Sequence, residues 1–307
     1  MTRVASFSQN QALLSSVLKS QTDLFKAQQQ VNTGKKSQDY AGIASDTSTL
    51  VSAKALKAQT DSFIKTGTYL NQTLSTLDLQ IGAFIDSSRS LRQSVLEVVA
   101  TGDAQGFQQT LETSFEMLKS TLNTMVGGSY LFSGSRTTTK PFSAETLDDL
   151  AALGNVADAF NNDQIKATVR IADTYEMQYG VLADEVAQPL MEVIQRIKQF
   201  HDTTPGGLNG QLDDTEKAYL ESELAALDSA IQGIQQYQVA NGLRQKRVEE
   251  IGDLMSNRSA YLEDFVSNIE DVNMAEAITR LQNDQSALEV SYRVIGSLSE
   301  LNLSKYI

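Results

Sequence analysis

Apolar residues recur every seventh position in two separate stretches of the chain. In the first they fall at Leu56, Phe63, Leu70, Leu77, Phe84, Leu91 and Val98. In the second they fall at Leu220, Leu227, Ile234, Val248, Met255, Leu262 and Ile269, with Asn241 taking one place in the series. A seven-residue recurrence keeps one narrow seam on one face of a helix, and such seams suit helices wound against each other. The pattern predicts helices from about 46 or 48 to 100 and from about 215 to 269, with Asp46 or Ser48 as the first cap. Pro141, Pro189 and Pro205 are the chain's three prolines, so residues 1–140 and 206–307 hold nothing that forbids a helical hydrogen bond.

Broader stripes flank the two seams. Leu13, Val17, Leu24 and Val31, with Leu14, Leu18 and Phe25, predict an amphipathic helix over 8–31, stopped by Asn32-Thr33-Gly34. After Ile269 the register slips by five residues and resumes at Met274, Leu281, Leu288 and Ile295, flanked by Ile278 and Tyr292. A step of five is not a heptad step, so a boundary is expected between 263 and 274, matching a polar connector at 34–46. Between the seams, Leu111, Phe115, Leu118, Leu122 and Met125 predict a helix over 105–126. Residues 166–171 and 175–179 alternate as a β-hairpin around Ala172-Asp173-Thr174, and residues 184–200 read as helix. The fold class is therefore mainly α: an elongated, folded-back helical hairpin or coiled-coil bundle, with N- and C-terminal helices paired and a small α+β outer region. An unbroken helix over 56–98 alone would run about 63 Å, whereas a compact globule of this length has a radius of gyration of about 19 Å.

Three domains follow from this plan. Residues 1–45 with 264–307 form an inner terminal-helix domain, and 46–142 with 206–263 form a long helical rod. Residues 143–205 form a small acidic outer domain holding the hairpin. The terminal stripes are too wide for two helices to cover, so the expected assembly interface comprises Leu13, Val17, Leu24, Val31, Met274, Ile278, Leu281, Leu288, Tyr292 and Ile295. Copies of the same chain would complete it, and the termini are expected to order on assembly.

Charge narrows the partners. The net charge is −13, against nucleic acid as a ligand. Residues 137–240 hold 17 acidic and 6 basic side chains, a balance of −11 that suits a solvated, outward-facing region. The first 40 residues carry Arg3, Lys19, Lys26, Lys35 and Lys36 against Asp23 and Asp39, and the last 45 carry 8 acids against Arg280, Arg293 and Lys305. Opposite signs favour the approach of the two ends, though exposed pairs contribute little energy. There is no cysteine, hence no disulfide and no thiolate chemistry. Residues Met1 to Ser16 lack a basic segment followed by an apolar core, so a protein that works outside the cell would leave by another route.

Candidate chemistry is sparse. His201 is the single histidine, without the partners that metal binding or acid–base catalysis needs, and reads as a loop-edge residue. Asp213, Asp214 and Glu216 lack the spacing of a calcium loop and suit a helix start. Gly127-Gly128 and Gly206-Gly207 lack the Gly-Lys-Ser/Thr ending of a phosphate loop and read as turns and stops. Asn241 leaves two readings open: a polar residue that fixes helix register, or a kink or inter-subunit contact beside Gly242. Tyr130-Leu131-Phe132 is read as a turn packed on the bundle, with a partner site as the rival. No catalytic, cofactor or metal residues are proposed.

Four segments carry a family resemblance. They are Gln29-Gln30-Val31-Asn32-Thr33-Gly34-Lys35-Lys36, then Ser129 to Gly134 followed by Pro141-Phe142, then Ser267 to Leu281, and the ending Leu298 to Ile307. In this order they resemble the flagellin superfamily, and within it most nearly the hook-associated proteins of the hook–filament junction. The family-motif residues are Tyr130, Leu131, Phe132, Gly134, Pro141 and Phe142. The chain departs from the family in shortening its Asp-Asp-rich segment to Gln38-Asp39-Tyr40-Ala41-Gly42. The resemblance implies a structural, non-enzymatic subunit joining hook to filament by packing of terminal helices, without cofactors, extracellular in the bacterial flagellum. It implies as partners copies of itself, a hook-side junction protein, flagellin, an export chaperone and the flagellar type III export apparatus. A filament flagellin is the nearest rival, and a secreted coiled-coil adhesin or binding module is the rival of another class.

Overall fold

The structure is a computed structural model that describes residues 2–39, 42 and 46–303, with side chains from 11 to 297 within those bounds. The ending Leu298 to Ile307, and Tyr40-Ala41 of the shortened segment, lie outside the residues whose side chains are described. Among the described residues there are seven α-helices and two small antiparallel sheets: α1 Thr2–Thr33, α2 Thr47–Thr101, α3 Phe107–Leu122, β1 Met125–Val126, β2 Ser129–Tyr130, α4 Leu147–Ala152, β3 Ala167–Ala172, β4 Tyr175–Tyr179, α5 Ala183–Thr203, α6 Asp214–Glu270 and α7 Met274–Leu303. The fold is mainly α with a small α+β region, as the periodicity predicts. No described helix is long and apolar enough to cross a membrane.

The chain divides into two compact units, Met1–Thr60 with Asn257–Ile307, and Asp61–Ser256. In the second unit the seam of α2 is a coiled-coil edge. Leu70, Leu74, Leu77, Ile81, Phe84, Leu91, Val95 and Val98 are all buried, spaced three and four apart save where Ser88 takes a position. Ser88 is buried too and its hydroxyl donates to the Phe84 carbonyl at 2.6 Å, so the seam keeps no unpaired hydroxyl there. From α6, Leu220, Leu227, Ile234 and Val248 join the same core, with Phe107, Leu111, Phe115, Leu118 and Leu122 of α3 and Leu190, Ile194 and Ile197 of α5. Arg92 of α2 grips Asp228 of α6 through two hydrogen bonds, and Arg196 of α5 grips buried Glu223 of α6 at 2.9 and 2.7 Å. Beside that pair Tyr219 stacks on Phe200 at 3.8 Å, and burial pushes its phenol up to about 12.

Asn241 is fully buried in this seam and its amide donates to the backbone carbonyl of Leu74 at 2.8 Å. The contact favours the register reading: an amide bonded to one carbonyl on the facing helix penalises every other alignment. Its own side-chain oxygen finds no partner among the described residues, and a half-satisfied buried amide is a net burden on stability. Asn241→Leu is expected to raise the stability of the folded chain by about 1 kcal/mol while loosening register, seen as a higher denaturation midpoint with broader exchange around Leu74. A lower midpoint would refute this.

The structure departs from the sequence expectation in the middle. The helix expected over 105–126 ends at Leu122, and residues 125–130 form a hairpin whose turn is Gly127-Gly128, both at positive φ (59° and 85°). Two consecutive positive φ values define the tight hairpin turn that glycine makes without strain. The β3–β4 hairpin is as expected, with a register irregularity between Arg170 and Ala172. Helix α4, and a 3₁₀ turn at Val156–Ala159, fall where no periodic signal is legible. Lys198, nearly buried, holds Asp148 of α4 and Asp202 of α5 at 2.8 and 2.5 Å, while Gln195 donates to the carbonyls of Leu150 and Leu153.

Candidate assembly interface

In the first unit α1 and α7 pack as an antiparallel pair. Gln21 donates to the Tyr292 hydroxyl at 2.6 Å, and Arg280 donates to Gln30 at 3.4 Å. Small residues let the helices approach: Ala27 and Ala277 are buried outright, with Val17. Of the residues expected at the assembly interface, Leu13, Leu24, Val31, Leu281, Leu288 and Ile295 are half-buried, while Met274, Ile278 and Tyr292 are exposed. Leu14, Leu18 and Phe25 stand 59%, 55% and 59% exposed, on the side of α1 away from its buried line. Val290 and Val294 do the same on α7. Two helices meeting through an alanine-rich line thus leave their larger apolar side chains uncovered.

The Gly34-Lys35-Lys36 element closes this unit. Gly34, at φ 70°, ends α1, and the backbone then bridges to the break between α6 and α7. Lys36 N–H donates to the Glu270 carbonyl at 2.7 Å, and Val272 N–H donates to the Gly34 carbonyl at 2.9 Å. The Lys36 ammonium donates to the carbonyls of Asn268 and Ile269 at 2.6 and 3.0 Å, capping the last turn of α6 where the helix dipole is negative. Lys35 pairs with Asp271 at 2.6 Å and Glu270 at 3.4 Å, and Lys54 of α2 pairs with Glu270 at 2.8 Å. Ser267 donates to Asp271 at 2.6 Å, and Asn273 accepts from Ala275 N–H at 3.1 Å to start α7. The Gln29–Lys36 and Ser267–Leu281 segments are therefore one clasp.

Its electrostatics have a sign. The Lys35 and Ser267 hydrogen bonds hold Asp271 below the usual carboxylate range, Lys54 holds Glu270 down, and Asp271 raises Lys35. A depressed carboxylate contributes stability that is present above its unfolded pKa, about 4, and lost as pH falls through the folded value. A raised lysine contributes below its unfolded pKa of about 10.4 and loses that contribution above its folded value. The protection factors of the Lys36 and Val272 amides against exchange are expected to fall below about pH 4. Asp271→Asn should remove most of that acid dependence, and since the pairs are partly exposed the change at neutral pH should stay near 1 kcal/mol or less.

The Tyr130–Phe142 motif lies in the second unit and is packed inward. Phe132, Pro141 and Phe142 are buried, while Tyr130 and Leu131 are half-buried. Phe142 meets Phe115 and Phe160 edge-on at 6.1 and 5.1 Å. Its backbone N–H donates to Asn123 Oδ1, and Asn123 Nδ2 donates to the Phe142 carbonyl, each at 3.1 Å. Gly134, at φ 68°, has no room for a side chain: a Cβ would fall on the Asp163 carboxylate, which accepts from Ser135 and from the Ile165 N–H. These contacts support the packed-turn reading. The polar pins Asn123, Asp163, Gln195 and Lys198 were not legible, since a single polar residue makes no periodic pattern.

His201 proves local: its Nδ1 accepts the Leu208 N–H at 3.0 Å and its ring lies against Gly207. Asp213 caps α6, accepting from the N–H groups of Thr215 and Glu216 at 2.8 and 2.7 Å, while Glu216 accepts from the Asp213 N–H. No group of acids and histidines fit to hold a metal occurs among the described residues.

Comparison with known proteins assigns part of the chain to a family. Residues 224–307, most of α6 and all of α7, match the family of the bacterial flagellin C-terminal helical region. That stretch is a flagellin-type C-terminal helical region. Its fold is similar to that of a provisionally assigned flagellar hook-associated protein from Vibrio parahaemolyticus, with TM-score 0.60 and 17% identity over 72% of this chain and 95% of that one. It is also similar to FlgL of Bacillus cereus, with TM-score 0.53 and 13% identity over 71% of this chain and 99% of that one. No curated protein sequence matches.

Proposed function

We propose that this chain is the subunit joining hook to filament in the bacterial flagellum, held to copies of itself through α1 and α7. The observation that carries this reading is the uncovered apolar face of the terminal pair: Leu14, Leu18 and Phe25 with Val290 and Val294, all exposed in a single copy. Such a face is a liability in a monomer and a contact surface in an assembly. The assembly core is residues 1–45 with 264–307, the rod is 46–142 with 206–263, and the acidic outer part is 143–205. The interface residues are those named from the sequence, joined by Leu14, Leu18 and Phe25. The neighbours are a hook-side junction protein and flagellin. A chaperone and the type III export apparatus deliver the chain outside the cell. The role is mechanical, and no catalytic set is proposed.

The likeness to a solved structure described as a flagellar hook-associated protein favours the junction, while the flagellin C-terminal match keeps a filament flagellin as second reading. Labelling the protein in intact flagella separates them. A single band at the distal end of the hook is the expected result, and label along the filament overturns the junction reading in favour of flagellin. Purified subunits that extend filaments from seeds would say the same.

A further inference from the structure

The chain contains two Asn-Gly pairs, Asn209-Gly210 and Asn241-Gly242, and the fold treats them in opposite ways. An asparagine side chain can be attacked by the backbone nitrogen of the residue that follows it. A following glycine permits this best, because it has no side chain to obstruct the ring that forms. The attack needs an amide free to swing, a nitrogen not already donating a hydrogen bond, and a backbone able to turn.

Asn241-Gly242 meets none of these needs. It lies inside α6, where the Gly242 N–H is held by the helix. The Asn241 side chain is fully buried, and its Nδ2 is bonded to the Leu74 carbonyl at 2.8 Å. Asn209-Gly210 lies instead in the loop between α5 and α6. Asn209 is exposed, and neither its side-chain amide nor the Gly210 N–H has a hydrogen-bond partner among the described residues. Space around Gly210 is open, since a Cβ built there would meet nothing within 4 Å. Its φ of 73° lies where a side chain is strained, so the turn itself asks for glycine at this position.

The flanks of the pair are fixed. Leu208 is buried, and its N–H donates to His201 Nδ1 at 3.0 Å. On the other side the Gly210 carbonyl accepts from the Ala104 N–H at 2.7 Å, and the Leu212 N–H donates to the Gly102 carbonyl at 2.8 Å. Those two bonds join the turn after α2 to the turn before α6.

We propose that Asn209 is a site of self-modification, deamidated in the folded chain by the backbone nitrogen of Gly210. Gly210 N bonds to Asn209 Cγ, the Cγ–Nδ2 bond breaks, and ammonia leaves with the Gly210 amide proton, closing a succinimide. Water then opens the ring at either carbonyl, giving an aspartate or an isoaspartate at this position. Either product adds one negative charge to the chain's −13. The isoaspartate also routes the backbone through the side chain and lengthens it by one carbon. Between two pinned flanks that extra carbon displaces Gly210, so the bonds to Gly102 and Ala104 weaken as the protein ages. The modification needs no partner and stands apart from the assembly reading.

The test uses the full chain, aged in warm neutral buffer, digested, and read asparagine by asparagine in a mass spectrometer. Labelling by an isoaspartyl methyltransferase reports the isoaspartate. Position 209 should convert at least about 100-fold faster than position 241, which must wait for the helix to open. In guanidinium chloride the two should convert at similar rates, because only the shared Asn-Gly sequence then decides. Comparable rates in the folded chain overturn the proposal. So does a folded-state rate at position 209 more than about tenfold below its rate in denaturant, which would mean that the loop protects it. Asn209→Gln, whose longer side chain closes the ring far more slowly, should abolish the change and keep the Ala104 and Leu212 amides protected through ageing. In the aged parent their protection should fall several-fold. Asn209→Asp, which carries the charge on an ordinary backbone, should keep it. Equal protection in the aged parent and in Asn209→Gln would overturn the effect on the joint between α2 and α6.

Discussion

Phe142→Ala is expected to lower the stability of the Asp61–Ser256 unit by about 3 to 5 kcal/mol, the range for deleting a buried phenylalanine ring. The ring has no exposed surface and closes a chain of three aromatics with Phe115 and Phe160, so little around it can collapse into the space left behind. The backbone bonds to Asn123 survive the substitution, which confines the loss to packing. Urea denaturation of the whole chain measures it, with Tyr175→Ala, on an exposed strand position, as the control. A loss below about 1 kcal/mol would show that the aromatic cluster tolerates a cavity and would refute the core role given to this motif.

The second large effect concerns assembly and leaves stability nearly untouched. Changing Leu14, Leu18 and Phe25 together to Asp should leave the monomer's helicity and denaturation midpoint within about 1 kcal/mol of the parent, because the three side chains already face solvent. If an assembled neighbour covers them, each loses about 1 to 2 kcal/mol of burial, and three acids are forced into an apolar contact. Association should weaken at least 100-fold, since about 1.4 kcal/mol is tenfold. Sedimentation of concentrated protein, and incorporation into flagella in a strain lacking the parent chain, are the measurements. Val17→Asp supplies the contrast: Val17 is buried between α1 and α7, so that variant should disrupt the pair itself. Normal incorporation of the triple variant would remove α1's outer face from the assembly.

Most helices could be read from the chain because burial and periodicity coincide. The seam residues from Leu70 to Val98 are buried at heptad spacing, and the five-residue slip after Ile269 marks the break observed at residues 271–273. The expected helix over 105–126 ran too long because Met125 continues the apolar spacing although it is exposed in a strand; the decisive signal was the glycine pair two residues on. Helix α4 is six residues long, too short for a 3.6-residue period to show, and it stands on a capping box between Thr146 and Asp149. At the interface the sequence marked apolar stripes but not which edge of each would turn inward. Ala27 and Ala277 settled that, and alanine is silent in a count of large apolar residues. The clasp was equally hidden. Lys35 and Asp271 lie 236 positions apart, and nothing local in either segment names the other.

That separation has a kinetic side. The N-terminal half of the clasp is made early in synthesis but must wait for residues near the far end before its bonds can close, and contacts this remote in sequence form slowly. A chain stopped short of residue 268 would leave Lys35 and Lys36 without these partners, however well the intervening helices had folded. Closure of this joint therefore waits on residues 268–272, and cleavage of the chain before them should be felt at Lys35 and Lys36.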